Sequence, residues 1–103
     1  TPVYMAPEQL RGREIDQRVD IFAFGVTMYE SLTGQKPFNG ETSREVLLKQ
    51  KNRDQHFAVP RDLNPSIPED VERIILKCIE FDADKRYPHI SYLVAELRKA
   101  LYV

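Results

Sequence analysis

Between Asp20 and Leu32 almost every position is apolar: Ile21, Phe22, Ala23, Phe24, Val26, Met28, Tyr29 and Leu32. On a helix these side chains point at nearly every angle, which marks an element buried on most sides rather than a surface helix. A buried strand is the rival reading. The length of the run and the stop at Thr33-Gly34, with Gly34 as a left-handed cap, select the helix. Further on, the apolar residues gather into stripes. A capping box, Thr42-x-x-Glu45, opens a helix carrying Val46, Leu47 and Leu48. A second box, Ser66-x-x-Glu69, opens one with Val71, Ile74, Ile75, Cys78 and Ile79 on one face. Ile90, Leu93, Val94, Leu97 and Leu101 set out a last helix at helical spacing.

The intervals are read by their polarity and their breakers. Thr1 to Glu8 is extended chain entering a short helical turn to about Leu10, with Pro7 suited to its first position. Arg11 to Arg18 is a polar loop, Lys51 to Pro65 a long polar connection, and Asp82 to Pro88 a charged loop. No stretch alternates as a strand does. The pattern predicts an all-α unit of about four helices plus one short helical turn.

Composition narrows the function more than the fold. The 103 residues carry 15 Lys plus Arg against 16 Asp plus Glu, a net charge of −1. A partner held by bulk positive charge, nucleic acid or an anionic membrane surface, is therefore disfavoured. The single cysteine, Cys78, permits no intrachain disulfide and fits a reducing, cytoplasmic setting. The apolar run at Ile21–Tyr29 is too short to span a bilayer, and no secretory signal opens the sequence. Cys78 lies on an apolar stripe and reads as a small core residue. His56 and His89 have no acid–base constellation and no metal-ligand spacing to Cys78, and both read as surface residues.

Five stations in order carry a family signature. Thr1-Pro2-Val3-Tyr4-Met5-Ala6-Pro7-Glu8-Gln9 resembles the end of the activation segment of serine/threonine protein kinases, including its Ala-Pro-Glu motif. Asp20-Ile-Phe-Ala-Phe-Gly25 is similar to the start of that family's central buried helix. Tyr29-Glu30 with Leu32-Thr33-Gly34, then Pro37-Phe38, then Asp84-x-Arg86 continue the likeness. Its flavour, Pro-Glu-Gln-Leu-Arg-Gly and later Lys-Arg-Tyr-Pro, resembles bacterial eukaryotic-like kinases. The 103 residues contain no Gly-x-Gly pair, no His-Arg-Asp and no Asp-Phe-Gly. The resemblance thus implies a partial kinase domain over residues 1–103, the helical C-terminal part of the large lobe. The small lobe and catalytic loop would lie outside it.

The resemblance also assigns roles. Thr1 would support the catalytic loop and mark serine/threonine specificity; taken alone it is a turn threonine before proline. Pro2, Val3, Tyr4 and Met5 would form the wall that receives the substrate residue just after the phosphoacceptor. Glu30 would meet a basic substrate residue upstream of the acceptor, and would lie within hydrogen-bond reach of Tyr4. Glu8 and Arg86 would form a buried two-pronged pair, the bland alternative being two solvated charges. Asp20 would accept N–H groups of the catalytic loop, and Gly25 would serve the central helix structurally. Three positions depart from the family: Val19 removes a cap from the central helix, Phe22 replaces a larger aromatic residue, and His89 starts the last helix with a poorer cap.

As function, the resemblance implies a segment of an ATP-dependent serine/threonine kinase that supplies substrate docking and lobe stability. A non-catalytic, pseudokinase-type protein-binding module, docking through Glu41–Lys51, is the alternative. A plain structural helical domain would explain the helices but not the ordered motifs. ATP and Mg²⁺ would belong to the parent kinase; no cofactor or metal is expected for this chain, and no phosphate transfer by it alone. Its partners would be the parent's protein substrate and whatever covers the central helix, either other kinase segments or a second copy. Nucleic acid and membrane are not expected.

Overall fold

The computed structural model describes residues 2–102, and of His56 only its backbone. Among them there are helices and no strands. The elements are α1 (Pro7–Leu10), α2 (Arg18–Thr33), α3 (Ser43–Lys51), α4 (Arg53–His56), α5 (Pro60–Leu63), α6 (Glu69–Cys78) and α7 (Ile90–Tyr102). Two 3-10 turns, Pro2–Tyr4 and Ala83–Lys85, complete the set. The four longer helices coincide with the four stripes of the sequence. The connection from Lys51 to Pro65 does not stay irregular: it folds into α4 and α5, each a single turn. Pro60, whose fixed φ suits a first helical position, starts α5.

The central helix α2 lies against α6, α5 and the Pro2–Tyr4 turn, while α7 packs on α6 and α3 packs on α1 and the same turn. Ile21, Phe22, Val26 and Tyr29 of α2 are buried with Ile74, Ile75 and Cys78 of α6. The two helices approach so closely at Gly25 that a Cβ there would lie 2.6 Å from Cys78 Cβ. An aromatic chain, Phe22–Phe38–Phe57–Tyr29, fills the core beside them with ring centroids 5.6–6.2 Å apart. The Tyr29 hydroxyl donates to Ala58 O at 2.5 Å, and its burial pushes its pKa up to about 12.

Not every end is capped as its sequence suggests. Gly34 closes α2 at φ 77°, the left-handed position that glycine tolerates best. Helix α2 begins two residues before Asp20; Gln17 precedes it without a side-chain cap bond, and Asp16 Oδ1 accepts the Arg18 N–H at 2.8 Å. Val19 therefore sits inside the helix, where no cap was needed. Thr42 accepts the Glu45 N–H at 3.2 Å, but Glu45 returns its bond to Glu41 N instead of Thr42 N. The second box does not form: Pro68 is the residue before α6, Glu69 turns to Arg61, and the Ser66 N–H is taken by Asn64 Oδ1. His89, expected to be a poor cap, accepts the Ser91 N–H on Nδ1 at 3.1 Å, so an exposed imidazole replaces the usual hydroxyl.

Central-helix exposure is narrower than its apolar circumference implies. Phe24 and Leu32 stand 37% and 36% exposed, and Leu32 borders an apolar cleft with Met28, Val71, Leu97 and Leu101. Val19, Ala23 and Met28 are half-buried, and Ile21, Phe22, Val26 and Tyr29 are buried where α5, α6 and the Pro2–Tyr4 turn lie against the helix.

Candidate functional site

The segment from Pro2 to Leu10 lies on one flank of the body, held at three points. At its far end, α1 starts with Pro7 and is tightened by Gln9, whose Oε1 accepts the Ala6 N–H at 2.8 Å. Glu8, in the first turn, faces Arg86, which the Ala83–Lys85 turn delivers from the other side. Arg86 Nη1 and Nη2 donate to the two Glu8 carboxylate oxygens at 2.8 and 2.9 Å. This is a fork-to-fork pair, and both prongs are in place.

The rest of the guanidinium is equally committed. Its Nε donates to Glu80 O at 2.8 Å, Nη2 to Phe81 O at 3.2 Å and Nη1 to Arg18 O at 3.3 Å. Its plane also lies over the Phe22 ring, 4.9 Å from the centroid. The Arg86 side chain is fully buried and that of Glu8 is 16% exposed. Burial pushes the Glu8 carboxyl up, but the hydrogen bonds from Arg86, backbone donors and the charges of Arg86 and Arg18 outweigh it and hold it below the usual carboxylate range.

The second point is Tyr4. Its hydroxyl donates to Glu30 Oε1 at 2.5 Å, and Lys36 Nζ stands 3.2 Å from Glu30 Oε2. The Tyr4 hydrogen bond, and then Lys36, lower the Glu30 pKa, while the same bond to the carboxylate raises that of Tyr4. Glu30 is thus an ionised carboxylate near the rim, with a phenol on one oxygen and an ammonium on the other. The third point is Gln50 of α3, whose Nε2 donates to Met5 O at 2.8 Å. Sequence patterning had no means of singling out Gln50; a polar residue next to an apolar stripe looks like any solvated helix position.

The remaining sequence candidates fall outside this cluster. Asp20 is exposed in the first turn of α2 and makes no side-chain hydrogen bond among the described residues. Gly25 lies in the α2–α6 contact, and Thr1 lies outside the described residues. Cys78 is wholly buried, and burial pushes its thiol pKa up to about 12, so it is no nucleophile. His89 is exposed as its sequence context suggested, whereas the His56 side chain lies outside the described residues.

The comparisons with known proteins bear on this arrangement. A model of the protein kinase domain matches residues 1–98. The chain belongs to the protein kinase domain family. The kinase segment is 37% identical over 97 residues to the serine/threonine-protein kinase PrkC of Bacillus subtilis, covering 94% of this chain and 15% of that protein. It is 40% identical over 86 residues to the DNA damage-responsive serine/threonine-protein kinase RqkA of Deinococcus radiodurans, covering 84% and 13%. It is 46% identical over 86 residues to the tyrosine-protein kinase MasK of Myxococcus xanthus, again 84% and 13%. The chain therefore spans about one-seventh of the length of these relatives. In structure it is similar to the twitchin kinase region from C. elegans, with a TM-score of 0.76 and 26% identity over 91% of this chain and 16% of that one.

A complete kinase uses ATP and Mg²⁺. The residues described here do not fit that group. No cluster of three or more His, Cys, Asp or Glu among them could hold a metal. Gly25 and Gly40 supply no phosphate cradle either: side chains of Cys78 and Ile79 occupy the space beside Gly25, and those of Glu45 and Val46 the space beside Gly40. The kinase segment holds the Pro2–Met5 turn through Arg86, Glu30 and Gln50.

Proposed function

We propose that residues 1–103 are the C-terminal part of the large lobe of an ATP-dependent serine/threonine protein kinase, supplying substrate docking and structural support. Phosphoryl transfer depends on positioning and electrostatics, so a stationary wall beside the acceptor is a catalytic requirement. The observation that carries this reading is the buried Glu8–Arg86 fork, which fastens the segment behind Pro2–Met5 to the helical body. Pro2, Val3, Tyr4 and Met5 form the wall for the residue after the acceptor. Glu30 receives a basic residue upstream of it, Lys36 giving way to the substrate's cation. Thr1 supports the catalytic loop, Asp20 accepts that loop's N–H groups, and Gly25 lets α6 close on α2. The strip at Phe24 and Leu32 is assigned to further segments of the kinase polypeptide.

The test uses the full-length polypeptide that carries these residues, with ATP and magnesium and a peptide library containing Ser, Thr and Tyr acceptors. Phosphate is expected on Ser and Thr, with a preference for an upstream Arg or Lys that Glu30→Gln removes. Transfer to Tyr alone would defeat the serine/threonine assignment. No transfer to any peptide would favour the non-catalytic binding module instead.

A further inference from the structure

Among the described residues, the buried polar or charged side chains are Gln50 and Arg86, each 2% exposed. Both direct hydrogen bonds at the same short segment: Arg86 at Glu8, Gln50 at Met5. We infer that Gln50 is a positioning residue for substrate selection, setting the height of the wall at Met5 and hence which residue after the phosphoacceptor is accepted. The inference rests on the kinase reading above.

Orientation of the amide is unambiguous, because only its NH₂ group can meet the Met5 carbonyl at 2.8 Å. The other end, Oε1, is buried with no partner among the described residues. A buried acceptor left unpaired works against stability, and an apolar residue of the same length would bring no such acceptor of its own. Core packing therefore does not account for an amide at this position; the bond to Met5 does. Around that carbonyl the chain has two further ties, Met5 N to Pro2 O at 3.1 Å and Ala6 N to Gln9 Oε1 at 2.8 Å. Both hold the turn to itself or to α1. Gln50 ties it across to α3 at the Met5 carbonyl itself, one residue beyond the Tyr4 hydroxyl that ties it to Glu30 of α2.

The experiment compares wild type, Gln50→Met and Gln50→Asn in the full-length polypeptide. Methionine keeps the length without the donor; asparagine keeps the amide but withdraws it by one methylene, and serves if the first variant does not fold. Peptides differing only in the residue after the acceptor give the discrimination ratio in kcat/KM. That ratio is expected to fall about three- to tenfold, the factor set by one neutral hydrogen bond. Hydrogen exchange at the Met5 and Ala6 amides should quicken by a similar factor. Val71→Ala, a core truncation in α6, should lower stability and leave the ratio alone. Equal discrimination by wild type and the Gln50 variants would overturn the inference, as would a Val71→Ala effect of the same size. A wild-type polypeptide that phosphorylates no peptide would defeat the kinase reading itself, and the specificity role with it.

Discussion

Arg86→Ala removes five hydrogen bonds and a stacked ring contact in one step. The Glu8 carboxylate loses both prongs, and the carbonyls of Glu80, Phe81 and Arg18 lose a donor each. The relevant magnitude is that of a broken buried ion pair, about 3–5 kcal/mol, because the charge left behind stays desolvated. An exposed pair would contribute about 0–1 kcal/mol. The full burial of the Arg86 side chain decides between the two. Urea unfolding is the assay: the midpoint should fall at unchanged slope for Arg86→Ala, while alanine at the exposed Arg98 should stay within about 0.5 kcal/mol of wild type. Arg86→Lys should recover only part of the loss, since an ammonium cannot span both oxygens.

The same pair sets an acid limit. Because the folded-state pKa of Glu8 is depressed, its contribution is present above the ordinary carboxylate value of 4.5 and lost as pH falls through the folded value. Wild type should therefore weaken on acidification below about pH 4.5, and Glu8→Gln should flatten part of that slope. Asp16 and Glu30, also depressed, would leave a remainder. Equal midpoint shifts for Arg86→Ala and Arg98→Ala would refute the burial argument.

Two further outcomes are expected from the α2–α6 contact. Gly25→Ala should destabilise by about 1–3 kcal/mol despite alanine's better helix propensity, because the added methyl would lie 2.6 Å from Cys78 Cβ and 2.7 Å from Ile79 Cγ2; stabilisation in a denaturation experiment would show that the helices can part without cost. Cys78, with its thiol pKa pushed up to about 12 by burial, should resist alkylation by iodoacetamide at pH 8 until the helices open. Labelling at the rate of a free thiol would contradict it.

Helix periodicity is a local property, and the sequence by itself determined everything that depends on it. The apolar run at Ile21–Leu32 and the stripes at Val71–Ile79 and Ile90–Leu101 each specify a helix whatever surrounds them, and Gly34 ends the first because few other residues accept its φ of 77°. The ordered motifs around Ala6-Pro7-Glu8 and Asp84-x-Arg86 likewise named a family. Caps were less legible. Asp16 accepts the first N–H of α2 where the family pattern looked to residue 19, Pro68 and not the Ser66 box precedes α6, and His89 accepts the Ser91 N–H at the start of α7, since a cap is decided by where the chain enters the helix. Long-range partners did not come from periodicity: the family resemblance paired Glu8 with Arg86 and Tyr4 with Glu30, and nothing in the sequence pointed to the pair of Gln50 and Met5. That Glu8 meets Arg86, 78 positions away, required the Ala83–Lys85 turn to swing the guanidinium under α1. That Gln50 is buried required α3 to lie on the Met5 turn. Burial and long-range hydrogen bonding are fixed by packing of elements against one another, and only the tertiary structure decides which polar residue is sealed in and which stays in water.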